Sequence, residues 1–386
     1  MRRLYEQVLF APDDADAWRR LAESFDGAGR VGRAAACLDA LEGACPGAPA
    51  EGHDRALRRR AQREAVERRR DLFTSLLSAD AARASVLVVG AHGEAATERT
   101  LDSLRRQSLG EEEVEVHVVG SRSEGLRLAK GRYVAHLEAG DELWPDHLAV
   151  LSDHLERTGR AMTFSRALEP GGGRLRATDG APVLPRQATG REFAPSASVL
   201  HRRRSLLAIG GFEPHLGRGQ AWHLWSRFVD RLRSDAVPVL SARVGGDDAS
   251  PERRFDLLLV RLGSRARARR RHRKARRQLA RGDVRLAAAE LGRAWNLGLT
   301  VEDYLPGVAA VAEHSRRLAA DLVALGAGEL EPHVRGAFRR IARGAEARRT
   351  LALRTHRHAL RTLYHEADRR GQERARRFGW RDEAQA

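Results

Sequence analysis

Cysteine, lysine and long apolar runs are nearly missing from this chain of 386 residues, and each shortage excludes something. Cys37 and Cys45 are the only cysteines, too few for a disulfide framework, and nothing nearby completes a metal-ligand cluster. Both are expected as reduced, partly buried helix residues of a cytoplasmic protein. No apolar run approaches the roughly 20 residues that cross a bilayer. The first residues, MRRLYEQVLFAPDDADAW, carry two arginines but no apolar core of signal-peptide length, so secretion is not expected.

Lysine occurs only at positions 130 and 274, so 67 of the 69 basic residues are arginine, a skew of the kind that GC-rich codon usage produces. The formal charge is +17, and residues 246–386 hold 32 Arg and Lys against 18 Asp and Glu, a difference of +14. The excess therefore belongs to the C-terminal part. Its densest stretch, Arg265 to Arg277, packs nine basic residues into thirteen positions. A solvated helix face is one reading of it, docking on an anionic membrane surface another. Nucleic acid is not expected, because no interleaved aromatics or recognition motif accompany the charge.

Three segments follow from periodicity: helical residues 1–80, an alternation of strands and helices over 81–245, and basic helical residues 246–386. In the first, Trp18, Leu21, Ala22, Phe25, Ala34, Leu38, Leu41 and Pro46 are spaced as in a tetratricopeptide repeat, which this stretch resembles. One such repeat cannot bury both faces, so it must lean on a following helix, over 55–77, or on the next domain. Gly282, Ala287, Leu291 and Ala294 match the second half of such a repeat. Leu353, Leu360 and Tyr364 make a narrow apolar stripe in a late helix, and His356, His358 and His365 lack metal-ligand spacing.

In the middle, the apolar runs predict strands over 85–90, 114–120 and from 133, with helices over 97–108 and 147–157. Strand, helix, strand at this spacing predicts parallel pairing, with ligands beyond the carboxyl ends of the strands. The order SVLVVGAHGEAATERTLDSLRRQS, VEVHVVG, SEGLRLAKGRYVAHLEAGDELWPDHL, SVLHRRRSLLAIGGFEPHLGRGQAWHLWSRF resembles a family-2 glycosyltransferase of the GT-A fold over about 165 residues. The resemblance implies an α/β domain with a mostly parallel sheet, flanked here by all-α segments at both ends.

It also implies a nucleotide sugar donor, a glycan or small-molecule acceptor, and Mg²⁺ or Mn²⁺ at the diphosphate. The first acidic position of the metal corner falls on Glu138, the second on Gly140, with Asp141 just after it. Hard cations take carboxylate oxygens, so Glu138 and Asp141 are the candidate metal ligands, and His136 shares a strand face with Glu138. An alternative has both acids capping the turn. The donor pocket departs from the family's pattern: Gly90, Ala91 and His92 replace the usual loop after the first strand, and Gly120, Ser121 and Arg122 replace an acidic pair. His92, Ser121 and His136 are thus the candidate donor contacts. The family's acidic pair before a Trp is Gln220 and Ala221 here, and alanine cannot take a proton. His223 is the substitute base, beside Trp222 as acceptor contact; the plainer alternative makes His223 a polar helix residue.

Two functions stay open on these residues: an inverting sugar transferase with a degenerate site, or a scaffold that kept the fold and binds protein partners through its helical flanks. Either is expected in the cytoplasm, with attachment to the inner membrane face through the basic stretch as an option.

Overall fold

The computed structural model describes residues 2–48, 52–76, 80–171, 174–178, 188, 192–231, 234–246, 250–324, 336–337 and 339–350. Leu353, Tyr364 and the late histidines His356, His358 and His365, with Leu360, lie outside them. The chain divides into two compact units, residues 1–267 with 296–298, and residues 268–295 with 299–386.

The first unit opens with helices α1 (Arg2–Phe10), α2 (Ala15–Gly27), α3 (Val31–Ala44) and α4 (Gly52–Leu76). Asp14 starts α2 by accepting the Ala17 N–H, satisfying one of the free donors at a helix start. Trp18, Leu21, Ala22 and Phe25 of α2 and Ala34, Leu38 and Leu41 of α3 are all buried. The face that this hairpin leaves open is covered by Leu57 of α4 and by Phe255, Leu259, Val260 and Leu262 from the start of the long helix α10 (Pro251–Ala280). Small size matters at this crossing, since a Cβ on Gly43 would meet the Leu262 carbonyl oxygen at 2.0 Å.

In chain order the strands of the sheet fall between α4 and α10. Its strands are β1 (Ala82–Val89), β2 (Val114–Val119), β3 (Gly131–Glu138), β4 (Glu142–Leu143), β5 (Met162–Gly171), β6 (Arg174–Ala177), β7 (Val199–Arg202) and β8 (Ser234–Arg243). The order is β2-β1-β3-β7-β5-β8-β4, with β6 on β5. The helices between them are α5 (Ala95–Arg105), α6 (Arg122–Leu128), α7 (His147–Thr158), α8 (Arg203–Ala208) and α9 (Gln220–Arg231). This is an α/β domain. β1 pairs parallel with β2 and β3, and β5 with β8, whereas β7 runs antiparallel to both its neighbours and β4 to β8. The sheet is thus mixed beyond β3: apolar runs specify burial on two faces but carry no direction, which the connections set.

Side chains alternate across it. Val86, Val88, Ala135 and Leu137 pack with Leu148, Leu151 and Leu155 of α7, and Leu87 and Val134 pack with Leu206, Trp225 and Phe228 on the other face. Glu138 ends β3 on that second face.

The second unit holds the rest of α10, α11 (Val284–Asn296) and α12 (Val301–Ala324). Glu290 is nearly buried and receives Arg271 Nη1 at 2.7 Å, Lys274 Nζ at 2.9 Å and Arg293 Nη1 at 3.3 Å. Two cations of the dense basic stretch therefore close an internal ion network. Ala287, Leu291 and Ala294 of α11 are buried, and Gly282 turns the chain into it at φ +81°. Among the described residues no helix is long and apolar enough to cross a membrane.

Candidate functional site

β3 ends at Glu138 and the chain turns at once, with Gly140 at φ +97°, where a side chain would be strained. Asp141 fastens this turn. Its Oδ2 accepts the Glu138 N–H at 2.9 Å and its Oδ1 the Gly245 N–H at 3.0 Å, so it ties β3 to the segment leaving β8. Burial pushes the Asp141 carboxyl up to about 6, against the pull of those two hydrogen bonds.

Glu138 carries an ion pair with Arg122, the third residue after β2. Arg122 is 8% exposed; its Nη2 also donates to Ser196 Oγ at 3.4 Å, and its guanidinium carbon lies 5.9 Å from the centre of the Phe212 ring. Its Nε is buried without a hydrogen-bond partner.

Two open spaces flank this pair. One, of about 320 Å³, is lined by Arg122, Glu138 and Asp141 together with Glu169, Glu192, Ser196, Arg218 and Arg253. The other lies over the ends of β1, β2 and β3, among Val89, Gly90, Gly120 and Glu138. Both stand where ligands of parallel strands sit, beyond the carboxyl ends. Glu192 receives Arg253 Nη2 at 3.2 Å, and desolvation raises its carboxyl pKa while Arg253 opposes the rise.

Of the residues singled out by sequence, the structure brings Glu138 and Asp141 together on the first of these cavities and places the others elsewhere. His92 is exposed in the turn after β1. Ser121 caps α6, its Oγ accepting the Glu124 N–H at 3.3 Å. His136 is fully buried, stacked on His201 with ring centres 4.9 Å apart and edge-on to Phe212. Trp222 is a core residue whose Nε1 donates to the Ala188 carbonyl at 2.6 Å, and Ala221 beside it is 1% exposed. His223 is buried on α9 and does not line either space.

The side chains that sequence reasoning passed over are Glu169, Glu192, Arg218 and Arg253. Arg122 was visible only as a departure from an acidic pair. As they stand, the acids do not make a metal site: the Glu138 carboxylate holds a guanidinium, both Asp141 oxygens hold backbone N–H groups, and no group of three or more His, Cys, Asp or Glu able to hold a metal occurs among the described residues.

The buried imidazoles have a consequence for pH. Desolvation holds His136 well below its ordinary value of 6.5, His147 at about 4 and His201 at about 3. Each group's folded pKa lies under its unfolded one, so stability is full above pH 6.5 and is lost as pH falls, by about 1.4 kcal/mol per pH unit per histidine. Asp141, shifted upward, offsets one histidine between about pH 6 and its unfolded value of 3.8. Neither His136 ring nitrogen has a hydrogen-bond partner, so His136→Phe removes a titrating group and no bond. Urea unfolding should find the variant about 2 kcal/mol less sensitive than wild type to a change from pH 7 to pH 5. An unchanged acid limb would show that His136 does not titrate on unfolding.

No protein-family model matches the chain, and no curated protein matches it. Among solved structures, it is similar to residues 1–349 of TarS from S. aureus in complex with UDP, at 13% identity over 69% of this chain and 90% of that one, with TM-score 0.39. It is also similar to the mannosyltransferase PcManGT of Pyrobaculum calidifontis in complex with GDP-Man and Mn²⁺, at 13% identity over 74% and 94%, with TM-score 0.33. A third is GalNAc-T7 with UDP, GalNAc and Mn²⁺, at 14% identity over 50% and 51%, with TM-score 0.31.

Proposed function

We propose that this chain is a family-2-like glycosyltransferase that binds a nucleotide sugar in the cavity beside Glu138 and passes the sugar to a hydroxyl of a glycan or small molecule. One observation carries the proposal: an open, charged space at the carboxyl ends of β1, β2 and β3, at the place where the sequence resemblance puts the donor. An inverting transfer needs a base that takes the acceptor's proton. Glu192 is the carboxylate suited to it, because it faces the cavity and its raised pKa strengthens it as a base. His223, buried away from the cavity, is not assigned that role. The helical segments 1–80 and 246–386 serve as flanks, in a protein that works in the cytoplasm. Titration calorimetry with UDP- and GDP-sugars, followed by an assay for released nucleoside diphosphate, is expected to give heat and slow release with one donor.

A second reading, a scaffold without chemistry, draws on Ala221: the position where the family carries its base is an apolar core residue. It predicts a stable protein partner captured by the helical flanks, with heat but no nucleotide release in the same assay. The basic stretch, if it docks on anionic vesicles, should release them as salt rises, because surface charge is screened within about 10 Å at 0.1 M.

A further inference from the structure

The corner at Glu138 and the divalent ion implied by the sequence resemblance are at odds. A hard cation needs open carboxylate oxygens, and this corner instead contains its own cation, Arg122, held against Glu138. Resting on the nucleotide-sugar reading of the cavity, we propose that the Arg122 guanidinium receives the diphosphate of the nucleotide and that binding needs no divalent metal.

The guanidinium is placed for that task. It is nine-tenths buried and fixed from three sides, by Glu138, Ser196 and the Phe212 ring. Its hydrogen bonds to Glu138 and Ser196 both run through Nη2, and the buried Nε is left without a partner. A planar fork with donors to spare matches phosphate oxygens, and it loses little freedom on binding because it is already held. Charge balance makes Arg122 decisive. Four carboxylates and three guanidiniums line the cavity, so without Arg122 an incoming diphosphate would face four negative side chains against two positive ones. Glu138 is then a brace for Arg122 and not a metal ligand.

The test is calorimetry of the full chain with UDP and GDP, in EDTA and in Mn²⁺. Wild type is expected to bind one of them with the same affinity, within about threefold, in both buffers. Arg122→Gln should weaken binding at least about tenfold in EDTA, with Mn²⁺ restoring part of it, because Glu138 is freed to hold the ion. Glu138→Gln, which removes one of the four negative charges while its amide oxygen still accepts from Arg122, should bind at least as tightly as wild type in EDTA and gain nothing from Mn²⁺, and thermal melts confirm that both variants fold. Heat from wild type only in Mn²⁺ would overturn the proposal while leaving the nucleotide reading intact, as would loss of binding in Glu138→Gln alongside retention in Arg122→Gln. Silence from wild type with both nucleotides in both buffers would overturn the nucleotide reading and this inference with it.

Discussion

Asp256→Ala is expected to destabilise the protein by about 3–5 kcal/mol, the cost of stranding a buried charge. Asp256 and Arg33 are 5% and 14% exposed at their side chains and meet at 2.5 Å. Burial raises the Asp256 carboxyl pKa and Arg33 works against that rise, so the pair holds its charge by mutual attraction. The guanidinium of Arg33 lies 5.2 Å from the Phe25 ring centre and 5.3 Å from that of Phe255, and its Nη1 donates to the His215 carbonyl at 3.1 Å. Alanine would leave this cation among aromatic rings with one neutral acceptor.

The same carboxylate also reaches the wall of the cavity. Asp256 Oδ2 accepts the Arg218 N–H at 2.8 Å, and the preceding residue, Gly217, sits at φ +50°, where a Cβ would also strike that same oxygen at 2.2 Å. Asp256 therefore joins α3, α10 and the turn that carries Arg218 onto the cavity wall. Asp256→Asn keeps an acceptor for Arg218 and should recover part of the loss. Adding Arg33→Met to Asp256→Ala should recover more, since it removes the stranded charge. Urea melts of the set decide it. A cost under about 1 kcal/mol for Asp256→Ala would mean that water reaches Arg33 and the pair behaves as an exposed one.

None of this joint was legible in the sequence, whereas much of the fold was. Runs such as SVLVV and YVAHL alternate or persist in ways that only buried strands satisfy, and Trp18, Leu21, Ala22 and Phe25 fall on one helical face, as the structure has them. The end of β3 at Glu138 was legible as a place, because the apolar run of the strand stops there. Its chemistry was not. Asp141 spends both oxygens on backbone groups, one of them in Gly245, more than a hundred residues away, and periodicity carries no information on such a pairing. His136 shares the face of Glu138 but lies one pleat deeper, where His201 and Phe212 cover it. Alternation gives the face and not the depth. Glu192 lies outside any regular element, so no pattern marks it, and its closeness to Arg253 becomes visible only once α10 is folded against the domain.

Glu192→Gln is expected to lower the turnover of a nucleotide sugar by 10²–10⁴-fold, roughly the share of a rate enhancement that a positioned general base supplies, and to leave nucleotide affinity within about threefold. The amide oxygen still accepts from Arg253, so the wall of the cavity stays in place and only the ability to take a proton is lost. The pH profile gives an independent readout. With its carboxyl pKa raised by desolvation, Glu192 protonates earlier on acidification than an ordinary carboxylate, so wild-type kcat/KM should fall off at a higher pH than a Glu near 4.3 would dictate. The variant should lose that limb. A variant within threefold of wild type in turnover would place the base elsewhere. Wild-type protein that binds nucleotide but releases none with any acceptor would favour the scaffold reading. In that case Arg122, Arg218 and Arg253 would still define a nucleotide-binding cavity, and Glu192 would be one half of an ion pair with Arg253 on its wall.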